Sequence, residues 1–141
     1  MFLNQLSVFL ENREGRLDQV LEILKNNNIN IISLSLADTS DYGMLRMVVA
    51  DPEAAKSALK EAGFSAMLTP VLGMKLAHKA GSLQTALSVM SKEEINVEYM
   101  YALATSGDDA IIVIKTNDLE KAAAVLEANG VKLAAADEIK G

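Results

Sequence analysis

The sequence predicts an α+β fold in which one βαββαβ unit is used twice. Three observations carry that reading. The stretch ENREGRL, residues 11–17, follows the apolar run LSVFL and returns as AHKAGSL, residues 77–83, after VLGMKL. At that offset of 66, Gly15 falls on Gly81, Leu17 on Leu83, Leu21 on Leu87, Ile29 on Ile95 and Asn30 on Asn96. Further on, LRMVV falls on IIVIK, and with one residue inserted in the second copy Leu59 falls on Leu126 and Gly63 on Gly130. A match that spans a whole half with a single insertion marks a duplication, and two copies of this length are small domains rather than solenoid repeats. The expected domains are residues 1–68 and 69–141.

Each element follows from local chemistry. FLNQLSVFL is rich in branched and aromatic residues and reads as a strand. From Arg16, the apolar positions Leu17, Val20, Leu21 and Leu24 keep the i, i+3, i+4, i+7 spacing of a helix, which KNNN ends with residues that tolerate left-handed turns. INIISLSLA is a second strand, DTSDYG a tight connection and MLRMVVA a third strand. DPEAAKSALKEAG opens a helix with Asp51 as N-cap and Pro52 in the first turn, and closes it at Gly63. FSAML is a short fourth strand. The second copy reads VLGMKLA, a helix from about Gly81 to Glu93, INVEYMYALA, DDAIIVIKT, a helix from about Asp118 to Asn129, and VKLAAADE. The order is the ferredoxin-like one, an antiparallel sheet with two helices on one face.

Composition narrows the function classes. Half of the 141 residues are hydrophobic and only 4% aromatic, so the core is expected to be aliphatic and filled with methionine. There is no cysteine, which excludes disulfides, thiolate zinc sites, iron–sulfur clusters and cysteine nucleophiles and fits a reducing, cytoplasmic setting. The net charge of −6 is shared evenly: residues 1–66 carry six Lys/Arg against nine Asp/Glu, and residues 67–141 seven against ten. No basic field exists for nucleic acid or anionic lipid. The N-terminus lacks the pattern of a signal peptide, and no apolar run approaches the ~18 residues of a membrane span.

This fold hosts many functions, so function must come from sites. Electron transfer and metal transfer on this scaffold need cysteines. RNA recognition needs aromatics on the first and third strands, and the third strands here have none. Arg13 and Gly15 superficially match a phosphate loop of the acylphosphatase kind, but the second copy has Lys79 and no further glycine. With one histidine, His78, no histidine metal cluster is available. No cofactor and no metal are expected.

The corner itself resembles a known family. VFLENREGRLDQVLEILKNNNINI is similar to the opening of an ACT domain, most closely the version in phosphoglycerate dehydrogenase, where a strand leads into an Asn-Arg-x-Gly-x-Leu bend and the helix ends in Asn-Ile. MKLAHKAGSLQTALSVMSKEEINV is similar but departs further. The resemblance implies two tandem ACT domains and no catalytic domain. It implies that two such units pair side by side through their second strands into one eight-stranded antiparallel sheet with helices on one face. An amino acid would bind in the seam, between one unit's first loop and the other's second strand.

Carried over position by position, the ligand contacts are Asn12, Arg13 and Gly15 in the first loop and Asn30 opening the second strand. In the second copy they are His78, Gly81 and Asn96. The polar position that precedes this asparagine in the family falls on Leu10 and Leu76. The chemistry suits a zwitterion. A glycine lets backbone approach a ligand, a helix N-terminus favours a carboxylate, and an amide both accepts and donates. Each residue also has a local reading: the glycines permit tight turns, Asn30 and Asn96 cap a turn, His78 is a surface loop residue, and Arg13 and Lys79 are solvated charges.

The expected function is a stand-alone regulatory or sensor protein, not an enzyme, that binds a free amino acid at the interface between its two ACT domains. The alternative is a regulatory subunit whose ACT pair binds a partner biosynthetic enzyme and keeps only vestigial pockets. An enzyme using Arg13 ranks last. The third strand of the second copy is apolar on both faces, and an uncovered apolar sheet face marks an interface, so a homodimer or higher oligomer is expected.

Overall fold

The computed structural model describes residues 2–11, 13–38, 41–103 and 109–139. It forms two compact units, one of residues Asn4–Thr69 and one of Pro70–Ile139 together with the first residues of the chain. In the first unit β1 (Leu3–Glu11), α1 (Arg16–Asn26), β2 (Ile31–Asp38), β3 (Tyr42–Val49) and α2 (Pro52–Glu61) lead into β4 (Ser65–Ala77). The second unit takes the rest of β4, then α3 (Ser82–Lys92), β5 (Val97–Leu103), β6 (Asp109–Thr116), α4 (Leu119–Ala128), β7 (Lys132–Leu133) and a single 3-10 turn at Ala136–Glu138. Strand order is β2-β3-β1-β4 in the first unit and β5-β6-β4 with β7 on the far side of β4 in the second, the ferredoxin-like order each time.

The two runs expected as separate strands, FSAML and VLGMKLA, form one continuous strand, β4, so the described residues hold seven strands where eight were expected. Nothing between them stops extension: Pro70 removes only its own N–H, and no glycine or polar cluster intervenes. Register also moves the inserted residue of the second copy. Leu34 lies opposite Met47 on β2 and β3, and its counterpart Met100 lies opposite Ile114 on β5 and β6. Met47 therefore corresponds to Ile114, an offset of 67, and the insertion sits in the connection before the third strand rather than after it. LRMVV matches IVIKT, not IIVIK. Sequence likeness alone could not separate these because both runs are apolar.

Each unit buries one helical stripe. Val20 and Leu24 of α1 and Ala55 and Leu59 of α2 are fully buried against Leu6, Val8, Leu45 and Met47. Ala86 and Met90 of α3 and Ala122 and Leu126 of α4 pack on Leu72, Met74 and Ile114. Full burial of each large apolar side chain contributes roughly 1.5–3 kcal/mol. Methionine fills gaps in both cores, as the shortage of aromatics requires. Asp51 and Asp118 cap α2 and α4 by accepting from Ala54 N at 3.1 Å and Lys121 N at 3.0 Å.

The sheet face away from the helices corrects one premise. Ile111 and Val113 of β6 are buried, not exposed. Within the second unit, Leu3 and Ala134 close over Gly73 beside Ile111, and a β-carbon at Gly73 would meet Leu3 Cδ1 at 3.0 Å and Ala134 Cβ at 3.3 Å. Glu138 of the 3-10 turn pairs with Lys75 and accepts from Ala135 N, fixing the segment there. Leu3 and Ala134 thus cover the face at Gly73, next to Ile111.

Candidate functional site

Both glycine corners share one backbone bend, and the second adds a bond from Ser82 N to Lys79 O at 3.2 Å. Arg13 N donates to Glu11 O and Lys79 N donates to Ala77 O, each at 2.8 Å, so the chain bends tightly as it leaves its strand. Gly15 then adopts φ 83°, ψ −11° and Gly81 φ 88°, ψ −8° as the residue before each helix. A side chain costs about 1–2 kcal/mol in that left-handed region, which explains glycine at both positions. Gln19 N closes the first turn of α1 on Gly15 O at 3.0 Å, and Thr85 N closes that of α3 on Gly81 O at 2.9 Å. Neither helix has a side-chain cap. Each N-terminus thus presents backbone N–H groups and the positive end of its dipole beside an exposed glycine.

The corners differ in their side chains. At the first, exposed Arg13 lies 3.4 Å from Glu11 through Nε, and half-buried Arg16 reaches Gln19 Oε1 at 2.8 Å and Glu11 at 3.8 Å. The Arg16 guanidinium stacks 4.3 Å from the Phe64 ring centre. Asn12 lies outside the described residues. At the second corner, His78 and Lys79 are exposed and line a cavity of about 410 Å³, with Ser82 and an apolar wall that includes Leu76, Leu83 and Ile112. A second cavity, about 750 Å³, runs from Lys79 and Gly81 along α3 past Leu83, Leu87 and Ser88 to Lys92. Lys79, read from sequence as a solvated charge, borders both cavities, and Ser82 is a lining residue the sequence reading did not single out. The Arg16, Glu11 and Phe64 contacts were also missed. The only sequence signal for them was the failure of Arg16 and Phe64 to recur at Ser82 and Val131.

Asn30 and Asn96 are exposed and stand at the other end of their own sheets. Ala50 N donates to Asn30 O at 2.9 Å beside the Ile31–Val49 pair, whereas Glu11 lies opposite Tyr42. Asn117 N donates to Asn96 O at 3.2 Å, and Asn96 N to Asn117 Oδ1 at 3.0 Å, beside the Val97–Thr116 pair, whereas Ala77 lies opposite Asp109. Seven steps along β3 or β6 separate loop from asparagine, roughly 24 Å at strand rise. No unit brings its own loop and its own asparagine together. Leu10 and Leu76 are buried in their cores at 4% and 7% exposure, so their side chains serve packing.

Comparison with known proteins places the chain. The profile of the ACT domain pair matches residues 1–140. The crystal structure of protein BT0572 from Bacteroides thetaiotaomicron is similar at a TM-score of 0.92 and 39% identity, over 99% of this chain and 96% of that one. The ligand-free regulatory subunit of aspartate kinase from Thermus thermophilus shares the fold at a TM-score of 0.61 and 16% identity, over 92% of this chain and 94% of that one. The aspartate kinase regulatory subunit from Thermus flavus does so at 0.57 and 20%, over 89% and 90%. Among curated proteins no relative matches. With a profile match over nearly its whole length and two glycine corners of one geometry, the chain belongs to the ACT domain pair family.

Proposed function

We propose that the protein is a regulatory or sensor protein, not an enzyme, that binds a free amino acid in a seam formed by the loop of one ACT domain and the second strand of another. The observation that supports this best is the repeated corner: a left-handed glycine before an uncapped helix N-terminus, flanked by polar side chains and, in the second copy, by a cavity large enough for an amino acid. The N–H groups and Lys79 suit an α-carboxylate, and Leu76, Leu83 and Ile112 suit a small apolar side chain. Asn12, Arg13, Gly15 and Asn96 would hold one ligand, and His78, Gly81 and Asn30 its counterpart. The roughly 24 Å that keeps each asparagine from its own loop within a unit supports a site completed by a second domain. The cysteine-free composition suits a reducing, cytoplasmic setting.

A second reading is a regulatory subunit that docks on a partner enzyme. It is supported by β2, whose Leu34 and Leu36 are 44% and 48% exposed on the helix side of the sheet. That edge also suits a homodimer. The two Thermus neighbours are themselves regulatory subunits of aspartate kinase, which is in keeping with either reading.

A thermal-shift screen of the purified protein against the common amino acids is the test. A ligand at about 100 times its Kd stabilises by roughly 2.7 kcal/mol, a shift easily seen. At least one amino acid should raise Tm in that way. If none does while a biosynthetic enzyme is retained on the immobilised protein, the docking reading replaces it.

A further inference from the structure

Arg16 stands out because its contacts serve no obvious local need. Its side chain is only 20% exposed, and its Nε is buried with no hydrogen-bond partner among the described residues. Buried unpartnered donors are rare and call for a compensating role. The rest of the guanidinium touches three separate pieces of the first unit: Glu11 at the end of β1, Gln19 one turn into α1, and the face of Phe64 just before β4. Those pieces frame the segment that contains Gly15.

The duplication supplies an internal control. The positions equivalent to Glu11, Arg16, Gln19 and Phe64 are Ala77, Ser82, Thr85 and Val131. The last match is confirmed by structure, since Phe64 N donates to Leu59 O and Val131 N to Leu126 O in the same way. Every member of the contact set is therefore absent from the second copy. Yet Gly81 reaches the same backbone angles as Gly15 within a few degrees. The contacts do not create the bend; they can only hold it. The second corner borders open cavities of about 410 and 750 Å³.

We propose that Arg16 is a positioning residue that holds the first glycine corner in its bent shape before ligand arrives, while the second corner, bent alike but without these side-chain contacts, is held less firmly until ligand binds. The inference rests on the amino-acid-binding reading for its consequence and on the free protein for its test. A preformed site does not spend binding energy on ordering, so the first corner fills at lower ligand concentration than the second.

Hydrogen exchange on the ligand-free protein tests the lock. In the parent, amides of residues 14–18 should exchange roughly tenfold more slowly than those of residues 80–84. Arg16→Ala should remove the difference and leave the amides of β3 and β6 unchanged. Arg16→Lys should behave like Arg16→Ala, because an ammonium keeps the charge but loses the planar stack and the fork. Phe64→Leu, which keeps the apolar volume, should speed exchange at residues 14–18 in part. Equal exchange at the two corners of the parent, or unchanged exchange at residues 14–18 in Arg16→Ala, overturns the proposal. So does acceleration spread over the whole first unit in both Arg16 variants, which would make Arg16 a general stability residue. Absence of any amino-acid ligand would remove the binding reading and leave these results standing.

Discussion

At the scale of single residues, the corners turn on conformation more than on contact. A β-carbon at Gly15 or Gly81 would meet nothing within 4 Å, so the only penalty of a side chain is the left-handed backbone. Gly15→Ala and Gly81→Ala are each expected to destabilise the fold by about 1–2 kcal/mol, read by denaturant unfolding. A loss well below that would mean the turn relaxes to negative φ. Gly73 is the opposite case: its φ is ordinary, and it is glycine because Leu3 and Ala134 sit where a side chain would go. His78 distinguishes the two corners chemically, since it stands where the first copy has Asn12. It shares its cavity with Lys79 and Ser82, which under the proposed reading suits a ligand carboxylate. His78→Ala should then weaken amino-acid binding by about fivefold through the loss of one hydrogen bond, read by calorimetry. Binding unchanged in both His78→Ala and Asn12→Ala would remove these loops from the site.

At the scale of elements, the two copies end their helices alike but with unequal chemistry. The residue two beyond the last of α1 is Asn28 at φ 56°, and its counterpart after α3 is Glu94 at φ 59°. Asparagine tolerates that conformation better than glutamate. Glu94→Asn should therefore stabilise the protein by about 0.5 kcal/mol, and Asn28→Glu should destabilise it by a similar amount. Thermal unfolding of the two variants checks the pair, and a stabilising Asn28→Glu would show that side-chain contacts, not backbone preference, set these termini. The strands show the limit of reading elements locally. Tyr42 opens β3 two residues before the run MLRMVVA, and VKLAAADE keeps only Lys132–Leu133 as strand before the 3-10 turn. Both shifts follow from pairing. Tyr42 finds Glu11 opposite it, whereas beyond Leu133 the chain keeps one bond, Ala134 N to Gly73 O at 2.8 Å, and then turns across the sheet face.

At the scale of the whole molecule, the question is what meets the exposed apolar edge. The reason first offered for self-association, an open face on the third strand of the second copy, does not hold, because that face is covered. The exposed large apolar residues include Leu34 and Leu36 on β2 and Met100 at the matching position of β5, all on the helix side of their sheets. They leave edges that a second chain can cover. Light scattering at micromolar concentration is expected to give twice the 15.1 kDa of one chain. Replacing Leu34 and Leu36 together by lysine should return it to the mass of one chain. A monomeric parent would sink the homodimer and leave the edge to a different partner.

The duplication, the ferredoxin-like order and the family were legible in the residues because they rest on local signals that repeat: Gly15 with Gly81, the helical stripes behind them, and Asp51 before Pro52. Those signals act through backbone preference and period, which need no distant partner. The position of the inserted residue was not legible, since apolar runs such as LRMVV and IIVIK align equally well in two frames and only cross-strand register separates them. Neither was the union of FSAML and VLGMKLA into β4, nor the Arg16–Glu11–Phe64 contact, whose members lie up to 53 positions apart in the chain. Loop and asparagine could be named from sequence, but their separation could not, because distance along a sheet depends on which residues pair. Sequence by itself determined which elements form and which turns bend; tertiary structure decided what each side chain faces, since burial and register arise only when segments remote in the chain exclude water together.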